Sequence, residues 1–338
     1  MRWELLLTPL TPLYAAAVRV RCAAYRRGTL RSQRLPAPVV SVGNLTFGGT
    51  GKTPTVTALV RDLARRGRRP AVLTRGYGRR DKTPLVLIGP DTGFAAERAG
   101  DEPLEMAERL PGVPIVVDAD RARGGREAIR HGADVLILDD GFQHLAVARD
   151  LDIVLLDAGD PWGGGHLPPI GRLREPVTAV RRASAVIVSK LEADHDGVFE
   201  EIRERLHRLA PSLPVLGAGL AASRLRTPGG PRPLATIEGR QVLAFAGLGR
   251  PQGFERLLER CGARVVSRRW FPDHHLYARA ELATLVDQAR RLNATLVTTA
   301  KDAVKLPADM PAWVVEASVQ PVGESWDPLW RIVPGLTG

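Results

Sequence analysis

Residues 39–54 read Val39-Val40-Ser41-Val42-Gly43-Asn44-Leu45-Thr46-Phe47-Gly48-Gly49-Thr50-Gly51-Lys52-Thr53-Pro54, and this stretch constrains the fold more than any other in the chain. An apolar run feeds a glycine-rich turn, and the turn feeds a helical pattern. Gly48, Gly49 and Gly51 let the backbone approach phosphate oxygens and present several N–H donors at a helix N-terminus. In such a loop Lys52 reaches the β- and γ-phosphates of ATP, and the Thr53 hydroxyl helps to hold Mg2+. Pro54 falls in the first helical turn, where its missing N–H costs little. The strict pattern has a further glycine five residues before Gly51, where this chain carries Thr46. The expected nucleotide-binding segment is Thr46, Phe47, Gly48, Gly49, Thr50, Gly51, Lys52 and Thr53.

The surrounding pattern is α/β. Apolar, β-rich runs recur at 39–42, 71–74, 85–88, 115–117, 135–138, 153–156 and 185–189, with helical patterns at 54–66, 102–109, 122–131 and 198–209. Continuous apolar strands separated by helices indicate a mostly parallel sheet of the P-loop NTPase type, with helices on both faces. Such sheets take ligands at the carboxyl ends of their strands. A stretch rich in proline, glycine and arginine at 224–239 reads as a linker. Beyond it, strands at 241–246, 263–267, 295–299 and 313–316 alternate with helices at 251–261 and 279–292, giving a smaller second α/β lobe. The expected organisation is an N-terminal segment (1–36), a kinase-like core (37–223), the linker, and a C-terminal lobe (240–338), with a cleft between the lobes.

Charge narrows the partners. The 338 residues hold 48 Lys+Arg against 37 Asp+Glu, a net of +11, and only Lys52, Lys82, Lys190, Lys301 and Lys305 are lysine. A basic chain favours an anionic partner. Nucleic acid is disfavoured, because aromatics make up 5% of the chain and no stacking motif appears. Cys22 and Cys261 provide neither a disulfide framework nor a four-ligand metal site, which suits a reducing compartment. No obligate protein partner is evident.

The apolar run 5–18 is broken by Pro9 and Pro12 and falls short of the roughly 20 residues that span a bilayer. Glu4, the two prolines, and Arg19 and Arg21 argue against a cleaved signal peptide, despite Ala15-Ala16-Ala17. A loop that needs cytosolic ATP argues the same way. Residues 1–36 carry seven arginines against Glu4 alone. At about 1 kcal/mol for each arginine near an anionic leaflet, that suffices for reversible surface attachment. A helix docked on the core with its arginines in water fits the same residues, and the segment alone leaves both open.

Asp139 and Asp140 end the apolar run 135–138 and open Gly141-Phe142-Gln143-His144. A carboxylate at the end of a buried strand facing a phosphate loop is the usual Mg2+ partner, and Asp139 is the expected one. Asp101, in Gly100-Asp101-Glu102-Pro103, is by itself most simply a helix N-cap. Phe271-Pro272-Asp273-His274-His275 lies in a loop, and its adjacent histidines point in different directions.

Together these motifs resemble the tetraacyldisaccharide 4′-kinases of lipid A biosynthesis. The matches run nearly the whole chain: the N-terminal apolar segment, the glycine loop, Thr74-Arg75-Gly76-Tyr77-Gly78, Gly100-Asp101-Glu102-Pro103, Asp139-Asp140-Gly141-Phe142-Gln143-His144, Leu173-Arg174-Glu175-Pro176, Phe271-Pro272-Asp273-His274 and Thr298-Thr299-Ala300-Lys301-Asp302. The resemblance implies transfer of the ATP γ-phosphate to the 4′-hydroxyl of an acylated glucosamine disaccharide 1-phosphate, giving lipid IVA. It implies work at the cytoplasmic face of the inner membrane, with the N-terminal segment attached peripherally. It further implies that Asp101 and His274 form a dyad accepting the hydroxyl proton, with Lys52 neutralising charge. Asp140, Gln143, Arg174 and Glu175 match active-site support positions, and Arg121 and Arg123 match basic positions suited to the 1-phosphate. Arg172 stands where the family commonly has proline and Ala300 where it has glutamate, which keeps Lys301 and Asp302 outside the expected catalytic set.

Two other classes share some of these features. A P-loop kinase of a soluble sugar or nucleotide explains the loop and Asp139 but gives the basic apolar N-terminus no purpose. A nucleotide switch would carry guanine-reading residues, which Ser189-Lys190-Leu191-Glu192 and Thr299-Ala300-Lys301-Asp302 imitate only in part.

Overall fold

The computed structural model describes residues 10–76, 83–89, 96–191, 196–248, 251–272, 275–323 and 325–336, with residues 10, 96, 97, 101 and 196 described by backbone alone. The chain divides into two compact units, Met1–Gly219 with Pro321–Gly338, and Leu220–Gln320.

The first unit opens with α1 (Leu10–Arg26). It continues through β1 (Val39–Asn44), α2 (Lys52–Arg65), β2 (Pro70–Thr74), β3 (Leu85–Leu87), α3 (Ala96–Ala99), α4 (Asp101–Arg109), β4 (Ile115–Val117), α5 (Arg121–Arg130), β5 (Val135–Asp139), β6 (Leu151–Asp157), β7 (Ala185–Ser189), α6 (Asp196–Leu209) and the start of β8 (Val215–Thr227). The strands lie in the order β8-β7-β6-β1-β5-β2-β4-β3. All these pairs are parallel except the edge strand β3, which runs antiparallel to β4. Strands β1, β2, β5 and β7 are buried along their whole length, which is why they read as unbroken apolar runs. Helix α2 buries Val56, Leu59, Val60 and Leu63, one stripe at helical spacing. Ala122 and Ala128 of α5 pack with Leu73, Leu136 and Leu138, and Ile202 and Leu206 of α6 with Val154, Leu156 and Val186.

Helix α1 is docked by one side only. Ala15 is buried and Tyr14 packs beside it, in the cluster that holds Leu173 and Val188. Leu13 and Val20 remain 68% and 69% exposed. Among the described residues no helix is long and apolar enough to cross a membrane.

The second unit takes the rest of β8, then β9 (Gly230–Arg232), β10 (Gln241–Gly247), α7 (Gln252–Arg260), β11 (Arg264–Phe271), α8 (Arg279–Arg291), β12 (Thr295–Thr299), α9 (Ala300–Ala303) and β13 (Trp313–Val322). The pairs within β11-β10-β12-β13 are parallel. Alternate residues of β10 divide between two cores. Val242, Ala244 and Ala246 pack with Phe254, Leu257 and Leu258 of α7, and Leu243 and Phe245 with Leu282, Leu285 and Ala289 of α8. Helices therefore cover both faces of this sheet.

The domain boundaries differ from those expected. Residues 224–239 are not a linker: they complete β8, form β9 and a 3-10 turn at Leu234–Ile237, and bury Leu225 and Ile237 completely. The units part inside strands, at Leu220 in β8 and Pro321 in β13. Residues 321–338, expected in the second lobe, belong to the first unit. There α10 (Asp327–Trp330) buries Trp330, whose Nε1 donates to Asp62 of α2 at 2.8 Å.

Candidate active site

The register of β1 against β5 sets Val42 opposite Asp139, so the glycine loop and the paired aspartates leave the sheet side by side. Gly43 makes this possible: a Cβ there would stand 2.5 Å from Cβ of Phe142 and 2.6 Å from its backbone nitrogen. Buried Asn44 braces the loop from below, its Nδ2 donating to the Thr46 carbonyl at 2.8 Å and to Thr50 Oγ1 at 3.0 Å. Gly51, at φ 75°, turns the chain through the left-handed region into α2, so Lys52 and Thr53 begin the helix. Residues 172–174 are stitched to the loop. Phe47 N–H donates to the Arg172 carbonyl and Arg174 N–H to the Leu45 carbonyl, both at 2.6 Å.

A cleft of about 1040 Å³ opens over the loop. It is lined by Phe47 to Pro54, Thr74, Arg75, Glu102, Glu105, Ala119, Arg121, Asp139, Asp140, Gln143, His144, Arg174 and Arg21, all of the first unit. Asp139 is 4% exposed; its Oδ2 accepts from Thr74 Oγ1 at 3.1 Å, and its buried Oδ1 has no hydrogen-bond partner. Burial, helped by the neighbouring Asp140 charge, raises its pKa to about 6. Asp140 differs. Burial alone would raise it, but Lys52 Nζ at 3.5 Å and Arg174 Nη1 at 2.8 and 2.9 Å outweigh that and hold it below the usual carboxylate range. Two adjacent carboxyls are thus set apart, one strongly anionic and one desolvated with a free oxygen.

Cations surround the remaining wall. Arg121 is buried and donates to the Asp118 carbonyl, while its Nε has no partner. Burial lowers its pKa to about 10, which leaves it charged at neutral pH. Burial, then Arg121, Arg149 and Arg21, lower His144 to about 4, so its imidazole is neutral. Among the described residues no cluster of three or more His, Cys, Asp or Glu is assembled for a metal. Mg2+ characteristically takes one or two carboxylates and completes its shell with water and phosphate oxygens. The unpartnered Asp139 oxygen, in the cleft that Thr53 also lines, fits that requirement.

The structure gathers Phe47, Gly48, Gly49, Thr50, Gly51, Lys52, Thr53, Asp139, Asp140, Gln143, Arg174 and Arg121 in one cleft. Three expected residues stand apart from its walls. Thr46 is buried beneath the loop, bridged to Leu173. Glu175 is 4% exposed and bonded by Arg182 at 2.6 and 2.7 Å; the chain bends at 174 and 175, and of the two only Arg174 lines the cleft. Arg123 forks onto Asp118 at 2.8 Å twice; two residues along a helix from Arg121, it faces elsewhere. Gly100, at φ 88°, takes the cap position expected for Asp101, which is the first residue of α4. The Asp101 side chain and His274 lie outside the described residues. The lining residues Thr74 and Arg75, singled out in the sequence as part of a matching motif but given no role there, stand at the carboxyl end of β2, where the strand-end rule points. Arg21, which donates to the Gln143 carbonyl at 2.6 Å, carried no signal in the sequence.

Comparison with known proteins gives the family. The family model for tetraacyldisaccharide-1-P 4′-kinase, LpxK, matches residues 3–331. The chain is 45% identical over 306 residues to the tetraacyldisaccharide 4′-kinase of Anaeromyxobacter sp. (strain K), covering 88% of this chain and 80% of that protein. It is 43% identical over 335 residues to the enzyme of the same name from Rhodospirillum centenum, covering 98% and 92%. A crystal structure of LpxK from Aquifex aeolicus in complex with ATP superposes with a TM-score of 0.73 at 32% identity, covering 99% of this chain and all of the other. The chain belongs to the tetraacyldisaccharide-1-P 4′-kinase family.

Proposed function

We propose that the protein transfers the γ-phosphate of ATP to the 4′-hydroxyl of a tetraacyldisaccharide 1-phosphate, at the cytoplasmic face of the inner membrane. The observation that carries this reading is the β1–β5 register, which puts the Lys52 loop beside a buried carboxylate with a free oxygen. Family membership supplies the acceptor.

Phosphoryl transfer asks a protein mainly for positioning and charge neutralisation. The glycine loop seats the triphosphate with its N–H donors, and Lys52 balances the charge that builds on the transferring group. Thr53 and Asp139 would hold Mg2+, which would neutralise phosphate oxygens. Asp140 fixes Lys52 and Arg174 in place through its ion pairs with both. Asp101 takes the proton of the attacking hydroxyl, with His274 orienting it and sharing the charge; an isolated aspartate is too weak a base at neutral pH to do this well. Arg121, charged and with Nε unpartnered, serves the substrate 1-phosphate. Helix α1 rests on the bilayer through the side that carries Leu13 and Val20, with the arginines around it meeting anionic head groups.

The test uses detergent-solubilised protein. ATP consumption is expected only when the acylated disaccharide 1-phosphate is present. Equal ATP turnover with and without lipid would instead favour a nucleotide switch.

A further inference from the structure

Ser189-Lys190-Leu191-Glu192 imitates a base-reading motif in part, and the reaction above gives it no task. Its first two residues nonetheless sit on the phosphate loop. Ser189 ends β7, paired with Asp157 at the end of β6. Its buried Oγ lies 2.8 Å from the Thr50 carbonyl, and 3.1 Å from that of Leu156. Lys190 follows with φ 58°, a left-handed conformation that a side-chain-bearing residue keeps only where its surroundings hold it. Its Nζ donates to the Gly49 carbonyl at 2.5 Å and to Asp157 Oδ2 at 2.6 Å, and its Cε passes 4.0 Å from where a Cβ on Gly51 would stand.

Two successive loop carbonyls are therefore drawn toward β7. The C=O and N–H of a trans peptide unit point in opposite directions. The N–H groups of Thr50 and Gly51 belong to these same two units, so both are turned away from β7; that of Thr50 donates to the Gly48 carbonyl at 3.2 Å, and that of Gly51 is left on the side where the loop lines the cleft. An N–H group turned toward the cleft at the start of a helix is what a phosphate needs. Composition points to the same residue. Of 48 basic residues five are lysine, and two of the five, Lys52 and Lys190, engage this loop. An ammonium is a compact charge whose rotatable donors can serve a carbonyl and a carboxylate at once, which the planar fork of arginine does not match.

We propose that Ser189 and Lys190 are positioning residues for the reaction. They hold the Gly49 and Thr50 carbonyls so that the loop is preset for a triphosphate before ATP arrives. Asp157 fixes the ammonium in turn. This inference rests on the reading of the loop as the ATP site.

Full-length Lys190→Met, Lys190→Arg and Asp157→Asn are compared with wild type by calorimetric titration of MgATP, by KM for each substrate, and by melting temperature. Lys190→Met is expected to weaken MgATP binding and raise the KM for ATP at least tenfold. The KM for the acylated disaccharide should stay within twofold and the melting temperature within about 2 °C. Lys190→Arg should recover only part of the loss, and Asp157→Asn should weaken ATP at least threefold, a readout that serves if Lys190→Met does not fold. ATP affinity within twofold of wild type in Lys190→Met, or unchanged in Asp157→Asn, overturns the proposal. So does a rise in both KM values that follows a fall in melting temperature, since that marks a merely structural role. Wild type that fails to bind MgATP would sink the phosphate-site reading itself, a separate failure.

Discussion

Lys52 and Arg174 converge on one carboxylate: Asp140 Oδ1 lies 3.5 Å from Lys52 Nζ and 2.8 Å from Arg174 Nη1. Asp140 holds this place in a left-handed backbone conformation, φ 54°, immediately after β5. Its charge fixes two cations at the mouth of the loop while cancelling part of their attraction for phosphate.

Asp140→Asn separates those effects. With the countercharge gone, MgATP binding should be unchanged or tighter. With Lys52 and Arg174 no longer fixed, kcat should fall about tenfold to a hundredfold, the range expected for a small misplacement of catalytic groups. Titration of MgATP alongside steady-state kinetics checks both halves; parallel losses in binding and kcat would contradict the assignment.

Asp139 and His144 give opposing pH dependences. Asp139 has its pKa raised from 3.8 to about 6 by burial and Asp140, so across that window the folded protein keeps a proton the unfolded chain releases, and stability falls as pH rises. His144 is lowered from 6.5 to about 4 by burial and nearby arginines, so between those values the unfolded chain holds the extra proton, and stability falls as pH drops. At 1.36 kcal/mol per unit, the Asp139 shift is worth at most about 3 kcal/mol. Asp139→Asn should therefore melt several degrees above wild type at pH 8, lose that gain near pH 4, and lose activity at every pH. His144→Gln should gain stability relative to wild type at pH 4.5 more than at pH 8. Scanning calorimetry across pH reads both, and identical wild-type and Asp139→Asn melting at pH 8 would contradict the first.

For the proposed proton-accepting pair, Asp101→Ala and His274→Ala should each cut kcat by about a hundredfold or more while MgATP still binds. The double substitution should cost no more than the worse single one, since groups acting as a unit are not additive. Full activity in either single variant would remove that residue from the assignment.

Helix α1 should separate membrane contact from folding. Leu13 and Val20 are exposed, whereas Ala15 is buried in the core and Tyr14 OH bonds the Arg174 carbonyl at 2.9 Å. Leu13→Glu with Val20→Glu should reduce sedimentation with anionic vesicles several-fold and leave the melting temperature nearly unchanged. Unaltered co-sedimentation would place the contact elsewhere on the protein.

The phosphate loop, the parallel core and the paired aspartates were legible because each is a local pattern: a glycine turn after an apolar run, strands buried end to end, charge at a strand terminus. What escaped depends on contacts distant in sequence. Strand β8 is masked by Gly217 and Gly219, which look like turn residues. They are glycine because a Cβ would stand 2.7 Å from Leu191 Cδ1 at the first and 2.5 Å from the Leu191 carbonyl oxygen at the second. The departure of Glu175 from the cleft follows from its partner Arg182, seven residues on, which no motif links to it. Arg21 reaches the cleft only because α1 folds back on residues 143 and 174, more than a hundred positions away.

The most direct measurement follows labelled γ-phosphate from ATP into acylated disaccharide 1-phosphate in mixed micelles, with the phosphorylated position read by mass spectrometry or NMR. The account predicts a single new phosphate on the 4′-oxygen, formed by wild type and reduced at least a hundredfold in Lys52→Met. Absence of lipid phosphorylation by folded, ATP-binding wild type, or undiminished transfer by Lys52→Met, would contradict it.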